Sequence, residues 1–192
     1  LISNEPVSAP VLKEKSGIHG STVWTFGNGL KVIALPTDYK KDQVIFNLEK
    51  DGGKNNIPVE DLPSFEDNIW QLYLSNTGIS KFSGTTLPKM LAGKRVSVNP
   101  FISGYSNGVE GQSAPKDIET AFQLAYLYFA DPRFDADEFN VGIQQLQAIF
   151  PNIKNTPNFK FSIELNKLIY AENPRVISLS DEIIAKANLA TI

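Results

Sequence analysis

Cysteine is absent from this 192-residue sequence. There is accordingly no disulfide framework, no thiolate metal site and no cysteine nucleophile. Histidine occurs once, at His19. A histidine-based zinc site without cysteine needs at least two histidines, so His19 lacks a second ligand of its own kind. No apolar run approaches the roughly 18–20 residues of a membrane span. A basic excess is also missing: 18 Lys and Arg stand against 21 Asp and Glu, a formal charge of −3. That balance favours neither nucleic acid nor an anionic membrane surface as partner. The opening LISNEPVSAP has neither the basic region nor the apolar core of a signal peptide, and it has no initiator Met. The chain is expected to be a processed product or an excised piece. Its composition suits the cytosol and an extracytoplasmic compartment equally.

What is present centres on Gly84 to Asp135. Thr86 is read as the cap of a short helix with Pro88 in its first turn and Gly93 at its end. Val96 and Val98 alternate with polar residues at the period of a half-buried strand. Gly104 and Gly108 are expected to break the run into turn and strand. A helix starts again at Ser113-Ala-Pro115, with an apolar stripe of Ile118, Ala121, Phe122, Ala125, Tyr128 and Phe129.

Residues 1–20, punctuated by Pro and Ser, read as a linker or arm, and 21–192 as a single domain. Ser21–Phe26 and Leu30–Leu35 are β-type runs separated by Gly27-Asn-Gly29, a hairpin signal. Gln43–Lys50 sets Val44, Phe46 and Leu48 against Gln43, Asn47 and Glu49. Three consecutive antiparallel strands are the economical reading of these runs. A helix is expected from Ser64, as N-cap, to Thr77, with Phe65, Ile69, Leu72 and Tyr73 inward and Gly78 at its end. Another starts between Asp135 and Glu138, buries Phe139, Ile143, Leu146 and Phe150, and stops at Pro151. A further one begins near Thr156-Pro157 and buries Phe161, Leu165, Leu168 and Ile169, and a last one starts at Ser180. Strands followed by helices give an α/β (α+β) fold: a two-layer sandwich, its mainly antiparallel sheet covered by helices on one face.

Candidate chemistry is thin. The acidic groups Glu66-Asp67, Asp135/Asp137/Glu138 and Asp181-Glu182 all fall in first turns of expected helices, where a carboxylate suits the positive end of the dipole. Ser64 and Ser113 read as caps, with no histidine to activate either by a triad. Gly27–Gly29 and Gly104–Gly111 lack phosphate-loop or dinucleotide spacing. Trp24, Trp70 and the phenylalanines read as core. Arg133 has two readings: a carboxylate or peptide ligand, or a charge at a helix end beside free carbonyls. No residue is assigned to catalysis, metal or substrate.

Three segments together resemble the pitrilysin/insulinase-type zinc metallopeptidases (the inverzincins): TVWTFGNGLKVIALPTDYKKDQVIF (Thr22–Phe46), the segment Leu87–Asp135, and Ala171-Glu-Asn-Pro-Arg175. The likeness covers roughly residues 20 to 190, and its specificity comes from the order and spacing of the segments. It implies a repeated α/β unit of a protein whose two halves close around a peptide chamber. Catalytic units of that family carry H-x-x-E-H on the first helix after the early strands, where zinc is held and the glutamate activates water. The matching helix here, Ser64–Asn76, has no histidine.

The resemblance therefore implies a non-catalytic unit, similar to the first of the C-terminal half of bacterial members. It would help form the chamber and position peptide for a separate zinc-bearing domain. The alternative is an inactive paralogue serving as scaffold or partner subunit. No cofactor is expected in this chain, zinc being expected in the catalytic domain. The expected partners are that catalytic half and peptide substrate, with neither nucleic acid nor membrane. By resemblance the compartment is the periplasm or cell envelope, and the unit is cut short before its last strands, leaving a sheet edge unpaired.

Overall fold

A computed structural model describes residues 1–2 and 5–192. Six strands and six α-helices follow in the order β1 (Val11–Ser16), β2 (Thr22–Phe26), β3 (Lys31–Ala34), β4 (Val44–Asp51), α1 (Asp67–Thr77), α2 (Thr86–Met90), β5 (Val96–Ile102), β6 (Ser106–Ser113), α3 (Ile118–Ala130), α4 (Ala136–Lys154), α5 (Pro157–Tyr170) and α6 (Asp181–Lys186). All pairings are antiparallel, and helices cover one face of the larger layer, as a two-layer α/β sandwich requires.

The strands form two three-stranded sheets, β1-β2-β3 and β4-β6-β5, rather than one. The expected hairpin joins β2 to β3, with Gly29 at φ +87° in its turn. β4 does not continue that meander. Exposed residues 35–42 carry the chain away, and β4 pairs with β6 over its whole length, from Val44↔Ser113 to Asp51↔Ser106. The expected arm 1–20 also contains a strand: β1 lies along β2, and the Trp24 indole donates to Glu14 at 2.9 Å. Every residue of β1 is exposed, so no burial pattern marked it.

In the second sheet β6 is central, and the proline-bearing β5 lies at an edge, where Pro100 forfeits no ladder bond on the inner side. Gly108 is an interior residue of β6, not a break. A Cβ there would collide with the Leu48 carbonyl, so the strand accepts glycine because its neighbour runs close. Val98 and Val109 face α3, which buries Ala121, Leu124, Ala125 and Leu127 against them, with Ile79 and Phe82 closing the cluster. The helix is rotated from the stripe read in sequence: Phe122 and Phe129 are 47% and 57% exposed, and Leu124 and Leu127 take their place. The sheet surface is too narrow to cover all of so apolar a helix.

A second core lies between α1, α4 and α6: Ile69, Tyr73, Phe139, Leu146, Phe150, Leu179 and Ile184. α1 and α4 meet at Gly142, where an added Cβ would sit 3.4 Å from Leu72. Gly78 ends α1 at φ +69° against the backbone of Phe82–Gly84, which turns the chain from this core into the other. Pro151 does not stop α4, which runs on to Lys154. Proline in a last turn sacrifices one donor, and the Asn155 side chain caps the Pro151 carbonyl at 2.8 Å. The short helix α2 starts one residue too early for Thr86 to be its cap, and the Ser83 hydroxyl accepts from the Thr86 N–H.

The expected burial on α5 is not observed. Its start is as read, with Thr156 capping the Phe159 N–H, but none of its residues is buried: Phe161 is 67% and Leu168 81% exposed. Helical periodicity identifies an apolar face, not whether a surface of the same chain covers it. Replacing Ile69 by Ala should therefore cost about 3 kcal/mol, whereas Leu168→Ala should stay within about 0.5 kcal/mol. Urea unfolding of the two variants checks this, and equal losses would refute the exposed placement of α5.

Candidate functional site

The helix that resembles the zinc-binding helix is built by caps. A 3₁₀ turn, Leu62–Phe65, precedes α1, so Ser64 lies two residues too early to cap it. Glu66 is the N-cap: one carboxylate oxygen accepts from the N–H groups of Asn68 (2.9 Å) and Ile69 (3.3 Å), the other from the Asn68 amide at 3.0 Å. Ser64 is buried and ties down the C-terminal segment, accepting from the Asn188 N–H at 2.9 Å and sharing a hydrogen bond with Thr191. Asp67 points outward to Lys54.

The other acidic groups are also caps or ion pairs. Asp135 caps α4 through the N–H groups of Asp137 and Glu138. Asp181 pairs with Lys154 at 2.8 Å, and Glu182 with Lys186, whose hydrogen bond and charge hold that carboxyl below its usual range. Arg133 lies at a helix end, but its guanidinium is on side-chain carboxylates and not on free carbonyls. Its guanidinium reaches Asp135 at 2.6 Å and Glu138 at 3.2 Å, and its carbonyl accepts from the Tyr73 and Thr77 hydroxyls. Trp24 and Trp70 are half-buried, and Tyr128, half-buried against the α3 core, has its phenol pushed up by burial. Ser113 is buried at the end of β6 and is not a helix cap.

His19 is exposed in a 3₁₀ turn at φ +53°. Among the described residues no three His, Cys, Asp or Glu side chains come together as ligands. The position of α1 does not fit zinc: the helix has no histidine, and the one buried carboxylate at its start is spent on backbone N–H groups.

One concave region carried no signal in sequence. Where β4 and β5 begin and β6 ends, Lys40, Lys41, Gln43, Arg95, Ser97 and Gln112 surround a hollow of about 480 Å³. Arg95, Ser97, Gln112 and Gln43 share the polar face of the sheet, opposite α3, because their positions alternate with Val44, Val96 and Ser113. Arg95 is anchored at both ends. Its backbone N–H donates to buried Asp117 at 2.9 Å, and its guanidinium donates to the Asp42 carbonyl at 2.8 Å. Gln43 donates to Gln112 at 2.6 Å. A neighbouring hollow of about 390 Å³ shares Asp42 and Arg95 and adds Lys116. Another, of about 250 Å³, shares Ser97 and Gln112 and continues along the face past Ile45, Asn99 and Glu110. The cations lie 54 positions apart in sequence, between Lys41 and Arg95, and only the β4·β6·β5 pairing makes them neighbours.

No family model matches the chain, and no curated protein sequence matches it. Solved structures do. The periplasmic protease PqqL from Escherichia coli superposes with a TM-score of 0.74 at 16% identity, over 100% of this chain and 22% of PqqL. The ferredoxin protease FusC, a mutant form in complex with Arabidopsis ferredoxin, gives 0.67 at 18% identity, over 96% of this chain and 22% of FusC. The chain thus has the fold of a segment of these proteases and spans about a fifth of the length of each. No helix among the described residues is long and apolar enough to cross a membrane.

The cluster around Arg133 has a measurable pH signature. Burial raises the Tyr73 phenol above its usual value; the Thr77 hydroxyl opposes this, Glu138 and Asp135 add to it, and Arg133 opposes it. A group whose folded pKa is raised stabilises fully below its unfolded pKa, about 10 for tyrosine, and loses that contribution as pH rises through the folded value. Stability should therefore fall above about pH 10, and less steeply in Tyr73→Phe. Urea midpoints across that range would show it, and identical slopes for the two proteins would rule it out.

Proposed function

We propose that this chain is a non-catalytic unit of a zinc metallopeptidase of the pitrilysin/insulinase type. It helps to form the peptide chamber and to position substrate for a separate unit bearing H-x-x-E-H. The observation that carries the reading is the combination of a protease-segment fold with a first helix that has no metal-binding donor set. Zinc belongs, on this reading, to the catalytic unit, and the partners of this chain are that unit and unfolded peptide.

The alternative, an inactive paralogue acting as scaffold or partner subunit, uses the same surfaces and differs only in where the zinc motif is encoded. PqqL is described as periplasmic, which supports a periplasmic or cell-envelope location for this chain.

The purified chain should hold no stoichiometric zinc by elemental analysis and should not cleave a quenched fluorogenic peptide. Zinc at one equivalent that disappears in His19→Ala would overturn the reading. The sequence of the native gene product separates the two forms of it. H-x-x-E-H in the same polypeptide makes this a chamber unit of the enzyme, and its presence only in a separate polypeptide makes this the partner subunit.

A further inference from the structure

The hollow at the start of β4 and β5 has a specific chemistry. In a chain of net charge −3, Lys40, Lys41 and Arg95 line it with Asp42 as the one acidic neighbour, and Lys116 adds a further cation next door. Among the described residues none of these four cations is in a salt bridge. Arg95 uses one guanidinium nitrogen on a backbone carbonyl and is held by Asp117 at its own N–H, so its remaining donors are preorganised. A guanidinium offers five donors in a planar fork that matches a carboxylate. Four residues along the same face from Arg95, level with Asn99, the charge changes sign at Glu110. The trough is therefore polarised, with a cationic end and an anionic end about 13 Å apart at the rise of an extended strand.

We infer that this trough is a subsite for an extended peptide and that its Lys40/Lys41/Arg95 end receives an acidic side chain of that peptide. The inference rests on the chamber reading above and adds the class of substrate residue that this unit selects. The carboxylate is held by charge-assisted hydrogen bonds from Arg95 and by the two lysines. The peptide backbone lies over Ser97, Asn99 and Gln112, whose side chains supply donors and acceptors. Ile45, 73% exposed in the same trough, gives an apolar side chain a foothold. Glu110 disfavours a second acid at the far end and favours a basic residue there.

The test uses two fluorescein-labelled, C-terminally amidated peptides that differ only in ending in two glutamates or in two glutamines, with the 192-residue chain in fluorescence anisotropy. The glutamate peptide should bind about tenfold tighter, and Lys41→Gln with Arg95→Gln should remove that preference while leaving the glutamine peptide within about twofold. Lys41→Gln alone alters an exposed side chain with no protein partner and should remove part of the preference without touching the fold. Lys160→Gln, on α5, should change nothing.

Equal binding of the two peptides would overturn the carboxylate subsite and leave the peptide-contact reading standing. Binding of neither would remove both. Displacement of the glutamate peptide by acetate or inorganic phosphate at that peptide's own concentration range would make this a small-anion site and overturn the peptide assignment.

Discussion

The structure depends on one long-range pairing. β4 and β6 run antiparallel over eight residue pairs, joining segments about sixty positions apart. β5 and β6 can pair as a local hairpin, but until β4 joins them β6 has only one neighbour, and Phe46 is missing from the cluster of Val98, Val109, Leu124 and Leu127 under α3. Non-local closure is entropically expensive, and it is compensated here by a central strand bonded on both edges and by a helix that buries one face of it. The opposite face remains polar, and the concave basic region forms at its end.

Around this frame the ionisable groups are mostly structural. Glu66 and Asp135 cap helices, and Asp117 fixes the entry of β5. Arg133 welds the start of α4 to α1 through two carboxylates and two hydroxyls. Such groups already have their hydrogen bonds satisfied, which disqualifies them from acid–base work. The cations beside β4 and β5 are different, since no carboxylate closes over them. Recognition is the chemistry that such a region, with its donors free, can perform.

Local chemistry was well legible. The hairpin at Gly27–Gly29, the caps at Asp135, Thr156 and Ser180, the end at Gly78, and the inward faces of α1 and α4 are found where the residues put them, whereas α2 stops at Met90, ahead of Gly93. Each depends on a signal within a few positions. The cap of α1 was misread because Ser64 and Glu66 both suit the role, and only the preceding 3₁₀ turn selects between them. β1 was missed because its partner, not its own pattern, makes it a strand. β4 was joined to the wrong sheet because alternation names a strand without naming its neighbour.

Taken alone, the sequence determined the fold class, the helix and strand inventory apart from β1, and the impossibility of thiol or histidine-cluster chemistry, since composition and local periodicity are properties of the chain itself. Tertiary structure decided the division into two sheets, the rotation of α3, the exposure of α5 and the gathering of Lys40, Lys41 and Arg95. The reason is physical. An apolar stripe or a lysine carries its chemistry wherever it lies, but whether the stripe is covered or the lysine has company depends on which distant strands pair, and that is settled by the free energy of the whole chain.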